Sequence, residues 1–163
     1  MSCVTFSALN SIETQEKEQT GKQVNYSDRW IAKMSGTMRN GNYLYKVADA
    51  IREFGLVLEE DYPTPAKYTW DEYHADIPES LLSELKAKGQ AWLKKWDVAY
   101  EWIPAQLAAL QYHLKHAPVQ LALYTPSHTV VDVYSPSDLI EYFDSYEPWL
   151  KNTPLSNVAA ATL

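Results

Sequence analysis

Three residues of this chain have the side chains of an activated-thiol site: Cys3, which is its one cysteine, His128 and Asp144. Cys3 opens a segment with helical periodicity, and a helix N-terminus favours a thiolate. His128 begins a β-like segment beside a Pro-Ser turn, and Asp144 ends the next one. A hairpin of these two segments would let the carboxylate hold one ring nitrogen of the imidazole. A thiol, an imidazole and a carboxylate in this order predict nucleophilic acyl transfer, whereas a cysteine without such partners would indicate a small core residue.

The elements that must position these residues fall into a helical part and a β part. Apolar periodicity predicts helices over residues 3–20, 44–54, 79–96 and 104–116, the third of them interrupted only at Gly89, and a short helix that Ser27 caps. From Pro118 onward, β-branched and aromatic segments predict strands at 119–124, 129–134 and 139–143. The predicted fold class is therefore α+β, with an antiparallel meander after the helices.

The length is that of one domain, which we predict to cover residues 1–163. A helical lobe with its connecting helices is predicted over about 1–117 and a β-lobe over 118–150. A loose tail is predicted over residues 151–163. Between the short helix that Ser27 caps and the helix predicted at 44–54, the loop 35–42 contains two glycines and two asparagines. Its backbone can therefore adopt left-handed conformations or approach a ligand closely.

Composition excludes several classes of function. The chain has a formal net charge of −7 at pH 7 and is 46% hydrophobic and 21% charged, which is typical of a globular protein and unsuited to binding nucleic acid or an anionic membrane. No apolar run approaches the ~20 residues of a membrane span, and no signal peptide opens the sequence. We therefore expect a cytoplasmic location, or the interior of a virion or host cell, and no internal disulfide.

No cofactor and no metal site are predicted. His113 and His116 are three residues apart on a predicted helix and could share a metal ion, but neither a cysteine nor another histidine lies near them in the sequence. A solvated helix face is the favoured interpretation of this pair.

Six stretches of sequence carry a family resemblance. They are CVTFSA at 3–8, NYSDR at 25–29, the glycine loop at 36–42, FGLVLEEDYP at 54–63, APVQLA at 117–122 followed by HTVV at 128–131, and DSY at 144–146. In this order they resemble the papain-like cysteine peptidases. The first is similar to that family's nucleophile segment, the fourth to its Asn-Gly-Ile…Glu…Tyr-Pro segment, and the last to its Asn-Ser-Trp. The resemblance extends from Cys3 to about Trp149.

The resemblance implies a papain-like fold with a helical lobe, an antiparallel β-lobe and an active site in the cleft between them. It implies a catalytic triad of Cys3, His128 and Asp144. The substrate-binding residues that it implies are Gly41 and Asn42, which would pair with the substrate backbone, Ser127 and Thr129, which would flank an S2-like region, and Tyr146.

The chain departs from the family pattern at several positions. Val4 stands where the family has Trp, Asp144 stands where it has Asn, and the family's additional cysteines, which staple the helical lobe, are absent. Only Met1 and Ser2 precede Cys3, so the segment that carries the family's oxyanion Gln is expected to be lacking. Loss of one such donor costs roughly 10²–10³ in rate.

These features predict a thiol protease that hydrolyses a peptide or protein substrate, at a rate that the missing donor would lower. One alternative is a catalytically inactive papain-fold module for peptide binding or assembly. Another is transglutaminase-type acyl transfer, which uses the same triad.

Overall fold

The computed structural model describes residues 2–123, 129–131, 139–143, 150–154, 156 and 158–162. The chain divides into two compact units. The first comprises Met1–Thr5 and Val24–Ala99, and the second comprises Phe6–Gln23 and Tyr100–Leu163. No helix among the described residues combines the length and the apolar character that crossing a membrane requires.

Six helices lie in the described part of the chain. They are α1 (Cys3–Thr20), α2 (Asp28–Met34), α3 (Leu44–Phe54), α4 (Trp70–Tyr73), α5 (Glu79–Leu93) and α6 (Leu107–His113). The helices predicted at 3–20 and 44–54 are confirmed at their stated bounds. Gly21 and Gly55 follow them with φ of 72° and 69°, which is the left-handed region where a glycine ends a helix without strain.

In the first unit, two of the stretches that carry the family resemblance pair with each other. Tyr26 forms an antiparallel bridge with Leu58. Ser27 donates from Oγ to the carbonyl oxygen of Tyr62 at 2.6 Å and accepts from the backbone N–H of Trp30 at 3.2 Å. Ser27 is therefore the predicted N-cap of α2, and it also fixes the Tyr62 turn to the start of that helix.

Two predicted helices have different bounds in the structure. The helix predicted over 79–96 ends at Leu93 and runs through Gly89 without interruption. The helix predicted over 104–116 is limited to Leu107–His113, because Ile103 belongs to a strand and the Pro104 carbonyl accepts from Gln106 in a turn.

The second unit contains one six-stranded antiparallel sheet. Its strands are β1 (Trp102–Ile103), β2 (Gln120–Leu123), β3 (Thr129–Val131), β4 (Leu139–Phe143), β5 (Leu150–Pro154) and β6 (Val158–Thr162), in the spatial order β1-β6-β2-β3-β4-β5. The predicted meander is confirmed for β2, β3 and β4, which pair consecutively. The prediction of a loose tail is wrong, because β5 pairs with β4 and β6 inserts between β1 and β2.

The core of the second unit lies where α6 packs against the central strands. It consists of Ile103, Leu110, Val119, Leu121, Leu123, Val158 and Ala161, each at most 6% exposed. Three of these residues come from β1 and β6, which sequence periodicity did not predict. The last strand therefore completes the core and brings the end of the chain into the sheet.

Candidate active site

Cys3 is the first residue of α1, and its side chain is a half-buried free thiol. The residue before it is held at two points. Tyr73 donates from its hydroxyl to the Ser2 Oγ at 3.1 Å, and Thr5 donates from Oγ1 to the Ser2 carbonyl oxygen at 2.8 Å. The predicted nucleophile thus follows a fixed residue and begins a helix of 18 residues, where free N–H groups and the macrodipole favour negative charge.

The Tyr73 side chain comes from α4, a short helix that apolar periodicity did not predict. A capping box starts it: Thr69 Oγ1 accepts from the Glu72 N–H at 3.3 Å, and Glu72 Oε2 accepts from the Thr69 N–H at 2.7 Å. The hydrogen bond from the Thr69 N–H lowers the pKa of Glu72, and the bond from the Thr69 hydroxyl lowers it by a smaller amount. The spacing Thr69-x-x-Glu72 was the available sequence signal for this helix.

Two cations of α2 hold the C-terminal end of α4. Arg29 donates to the carbonyl oxygens of Tyr73 and Glu72 at 2.8 and 2.7 Å. Lys33 donates to the His74 carbonyl oxygen at 2.9 Å and pairs with Asp76 at 2.9 Å. Carbonyl groups at a helix C-terminus have no partner within the helix, and cationic side chains are well suited to satisfy them.

The ring of His74 packs against the ring of Trp70, with the centroids 3.9 Å apart and the ring planes tilted by 34°. Its Nε2 is buried and has no hydrogen-bond partner among the described residues. Burial lowers the pKa of His74, and the positive charges of Lys33 and Arg29 lower it further. The imidazole is therefore held neutral at a pH where a solvated histidine would already bind a proton.

We expect this histidine to make stability depend on pH. Because the pKa of His74 is lower in the folded chain, the unfolded chain binds more protons as the pH falls from about 6.5, so stability is lost below that pH. Thermal unfolding measured from pH 7.5 to pH 5 should show a smaller fall in Tm for His74→Phe than for the parent chain. Identical slopes would contradict the assignment.

The glycine loop folds as predicted, with a consequence for one candidate residue. Gly36 and Gly41 have φ of 68° and 101°. The Asn42 side-chain amide donates to the carbonyl oxygen and Oγ of Ser35 and to Thr37 Oγ1, and its Oδ1 accepts from the Tyr43 N–H at 2.8 Å. The Asn42 side chain is therefore used inside the loop, and the backbone N–H and carbonyl oxygen of Gly41 are used there as well. Gly41 and Met38 already bond to each other through both backbone N–H groups.

The β-half of the predicted site is described only in part. Thr129 opens β3 and lies opposite Ala122 in β2, and Val131 of the same strand lies opposite Phe143 of β4. His128, Ser127, Asp144 and Tyr146 lie outside the described residues. The triad and these substrate contacts therefore stay predictions.

A buried polar contact in the second unit was missed by the sequence analysis. Gln120 of β2 donates from Nε2 to Ser7 Oγ on α1 at 2.5 Å, and its Oε1 accepts from Thr162 of β6 at 3.3 Å. All three side chains are at most 7% exposed. Satisfied polar groups of this kind fix one packing arrangement, so Gln120 sets the position of the helix that begins with Cys3 against the sheet.

Solved structures similar to this chain are cysteine proteases. The Carica candamarcensis protease CMS1MS2, solved in complex with E-64, has a TM-score of 0.71 and 15% identity over 99% of this chain and 87% of its own. The proform of the ragweed pollen allergen Amb a 11 has a TM-score of 0.74 and 18% identity over 99% and 59%. Procathepsin L 3 from the Tenebrio molitor larval midgut has a TM-score of 0.72 and 16% identity over 99% and 62%.

No family model matches the sequence, and neither does a curated protein sequence. The chain spans less than two thirds of the two proforms and most of CMS1MS2. The fold is nevertheless defined by these structures: helices followed by an antiparallel sheet, in the arrangement of the papain-like cysteine proteases. The predicted fold class is confirmed.

Proposed function

We propose that the protein is a thiol peptidase that cleaves peptide bonds through Cys3, His128 and Asp144. The observation that supports this most is the placement of the one cysteine at the start of α1 in a papain-like fold. The alternative role for a cysteine, a buried apolar residue of the core, does not suit a half-buried side chain at a helix N-terminus.

In the proposed reaction, the Cys3 thiolate attacks the scissile carbonyl carbon and forms a carbon–sulfur bond. The imidazolium of His128 gives its proton to the departing amine as the carbon–nitrogen bond breaks. Water then attacks the thioester while His128 takes its proton, and the carboxylic product leaves as the thiolate reforms. Asp144 orients the imidazole, and the backbone N–H of Cys3 donates to the oxyanion.

The substrate of this reaction is proposed to be an extended peptide or protein segment that lies along Gly41 and Asn42, with Ser127, Thr129 and Tyr146 beside it. The internal bonds of Asn42 restrict its contribution to the backbone. The single cysteine is compatible with a reducing compartment, and we place the reaction inside a cell.

The proposal predicts hydrolysis of a fluorogenic peptide above a Cys3→Ala blank, because the blank lacks the thiol that forms the acyl-enzyme. Steady-state rates of the parent chain and of Cys3→Ala, measured with the same peptide, test this. E-64, which is bound in the CMS1MS2 structure, should protect Cys3 from alkylation by iodoacetamide.

A parent rate equal to that of the blank would remove the peptidase proposal. A papain-fold module that binds peptides without cleaving them would then be the better description. Product in which an amine replaces water as acceptor would instead indicate transglutaminase-type transfer.

A further inference from the structure

We propose that Tyr73 is a positioning residue that fixes the Ser2–Cys3 segment for reaction, an inference that rests on the proposed function of Cys3. It acts through Ser2, whose Oγ accepts from the Tyr73 hydroxyl at 3.1 Å. No bond joins Tyr73 to the substrate in this proposal. Its role is to determine where the backbone lies one residue before the nucleophile.

Tyr73 is suited to this role because its own position is fixed on several sides. Its side chain is 5% exposed. Its carbonyl oxygen accepts from Arg29 Nε at 2.8 Å, and its ring packs on the ring of Tyr68 with centroids 5.0 Å apart. The capping box of α4 fixes the helix that carries it. Because the Tyr73 side chain is held in one place, its hydroxyl can hold the Ser2 Oγ in one place as well.

The chemistry of the phenol also fits a permanent donor. Burial raises the pKa of Tyr73, an effect that the hydrogen bond to Ser2 only partly opposes. The hydroxyl therefore keeps its proton throughout the pH range in which a thiolate–imidazolium pair can act. The Ser2 carbonyl is held separately by Thr5 Oγ1, so both the side chain and the backbone of Ser2 are fixed.

Positioning matters because a nucleophile must be held within about 0.5 Å of its productive place. A residue at the start of a helix lacks the intrahelical N–H bonds that restrain later residues. Without an external contact, the first turn of α1 would fray, and the Cys3 thiol would spend less time in the reactive geometry. The bond between Tyr73 and Ser2 supplies that contact.

The test is Tyr73→Phe, which removes the hydroxyl and keeps the ring, with Tyr68→Phe as the matched control. The Tyr68 side chain is 50% exposed, and its contact with Tyr73 is made by the ring, which Tyr68→Phe keeps. We expect kcat to fall about two- to tenfold in Tyr73→Phe with KM unchanged, which corresponds to the loss of one hydrogen bond. Tyr68→Phe should leave both constants unchanged.

Amide hydrogen exchange gives a readout that needs no catalysis. In Tyr73→Phe, exchange in Ser2–Thr5 should rise about two- to tenfold while exchange in α5 stays at the parent rate. Ser2→Ala should have the same effect, and the double variant should be no worse than either single one, because all three lose the same bond.

The outcomes separate this proposal from the peptidase proposal. A local rise in exchange with a lower kcat supports both. Absence of hydrolysis in every form overturns the peptidase proposal, and with it the catalytic purpose assigned to Tyr73. Exchange that is unchanged, or that rises equally in α5, overturns the positioning role, as does an unchanged kcat in an active enzyme.

Discussion

Replacement of His128 by alanine is expected to lower kcat for peptide hydrolysis by about 10³-fold or more, because one side chain carries the proton in both halves of the proposed reaction. Cys3→Ala should remove the covalent route and cost at least as much. The double variant should be no slower than Cys3→Ala alone, since residues that act as one unit lose their effect together. Steady-state hydrolysis of one fluorogenic peptide by the parent and the three variants measures this.

Two controls sharpen this experiment. His116→Ala removes an exposed histidine whose ring packs against the ring of Tyr112, and it should leave the rate unchanged. Asp144→Asn should keep measurable activity, because an amide can orient the imidazole, whereas Asp144→Ala should lose much more. Losses in His128→Ala and Cys3→Ala that multiply would show that the two residues do not share a mechanism.

The helical elements of this chain could be predicted because their signals are local. Ser27 and Gly55 mark helix ends by capping chemistry that acts within a few residues. The last strands carry no such signal. Val158–Thr162 is mostly alanine, which has little preference for strands, and it becomes a strand because β1 and β2 supply partners on both sides.

The sequence predicts candidate residues for the site but not the contacts that position them. Cys3 stands out as the one cysteine, and α1 was predictable from periodicity. The bond from Tyr73 to Ser2 joins residues 71 positions apart, and no local pattern encodes such a pair. Sequence reasoning could have found α4 from its capping box, but the partner of its last side chain follows only from the tertiary fold.

Hydrogen bonds, rather than disulfides, link α4 to α2 in this chain, which has one cysteine. In this chain, α4 is held to α2 by charge-assisted bonds, in which Arg29 and Lys33 donate to three backbone carbonyl oxygens. Hydrogen bonds from a cation are about twice as strong as neutral ones. The link between these elements therefore does not depend on a disulfide.

Gly89→Ala is expected to lower the free energy of unfolding by about 3 kcal/mol or more. This is the opposite of the usual result inside a helix, where alanine is preferred to glycine. Gly89 lies inside α5, where alanine would normally gain about 1 kcal/mol. Here a Cβ would overlap the Phe54 carbonyl oxygen, and a Cβ on Gly55 would overlap the Gly89 backbone. Both obstacles are main-chain atoms, so no side-chain rotation relieves them.

The backbone shift that Gly89→Ala causes should also disturb the contacts of the first unit that position Ser2 and Cys3. The Gly55 carbonyl oxygen accepts from Trp30 Nε1 at 2.9 Å, so a shift of this backbone disturbs α2 and the cations that hold α4. Tm should fall by about 6–12 °C for a chain of this size. Gly36→Ala is the control, because its Cβ would meet nothing within 4 Å and only the left-handed backbone is penalised, at about 1–2 kcal/mol. A rise in Tm for Gly89→Ala would mean that helix propensity outweighs the contact between the two glycines.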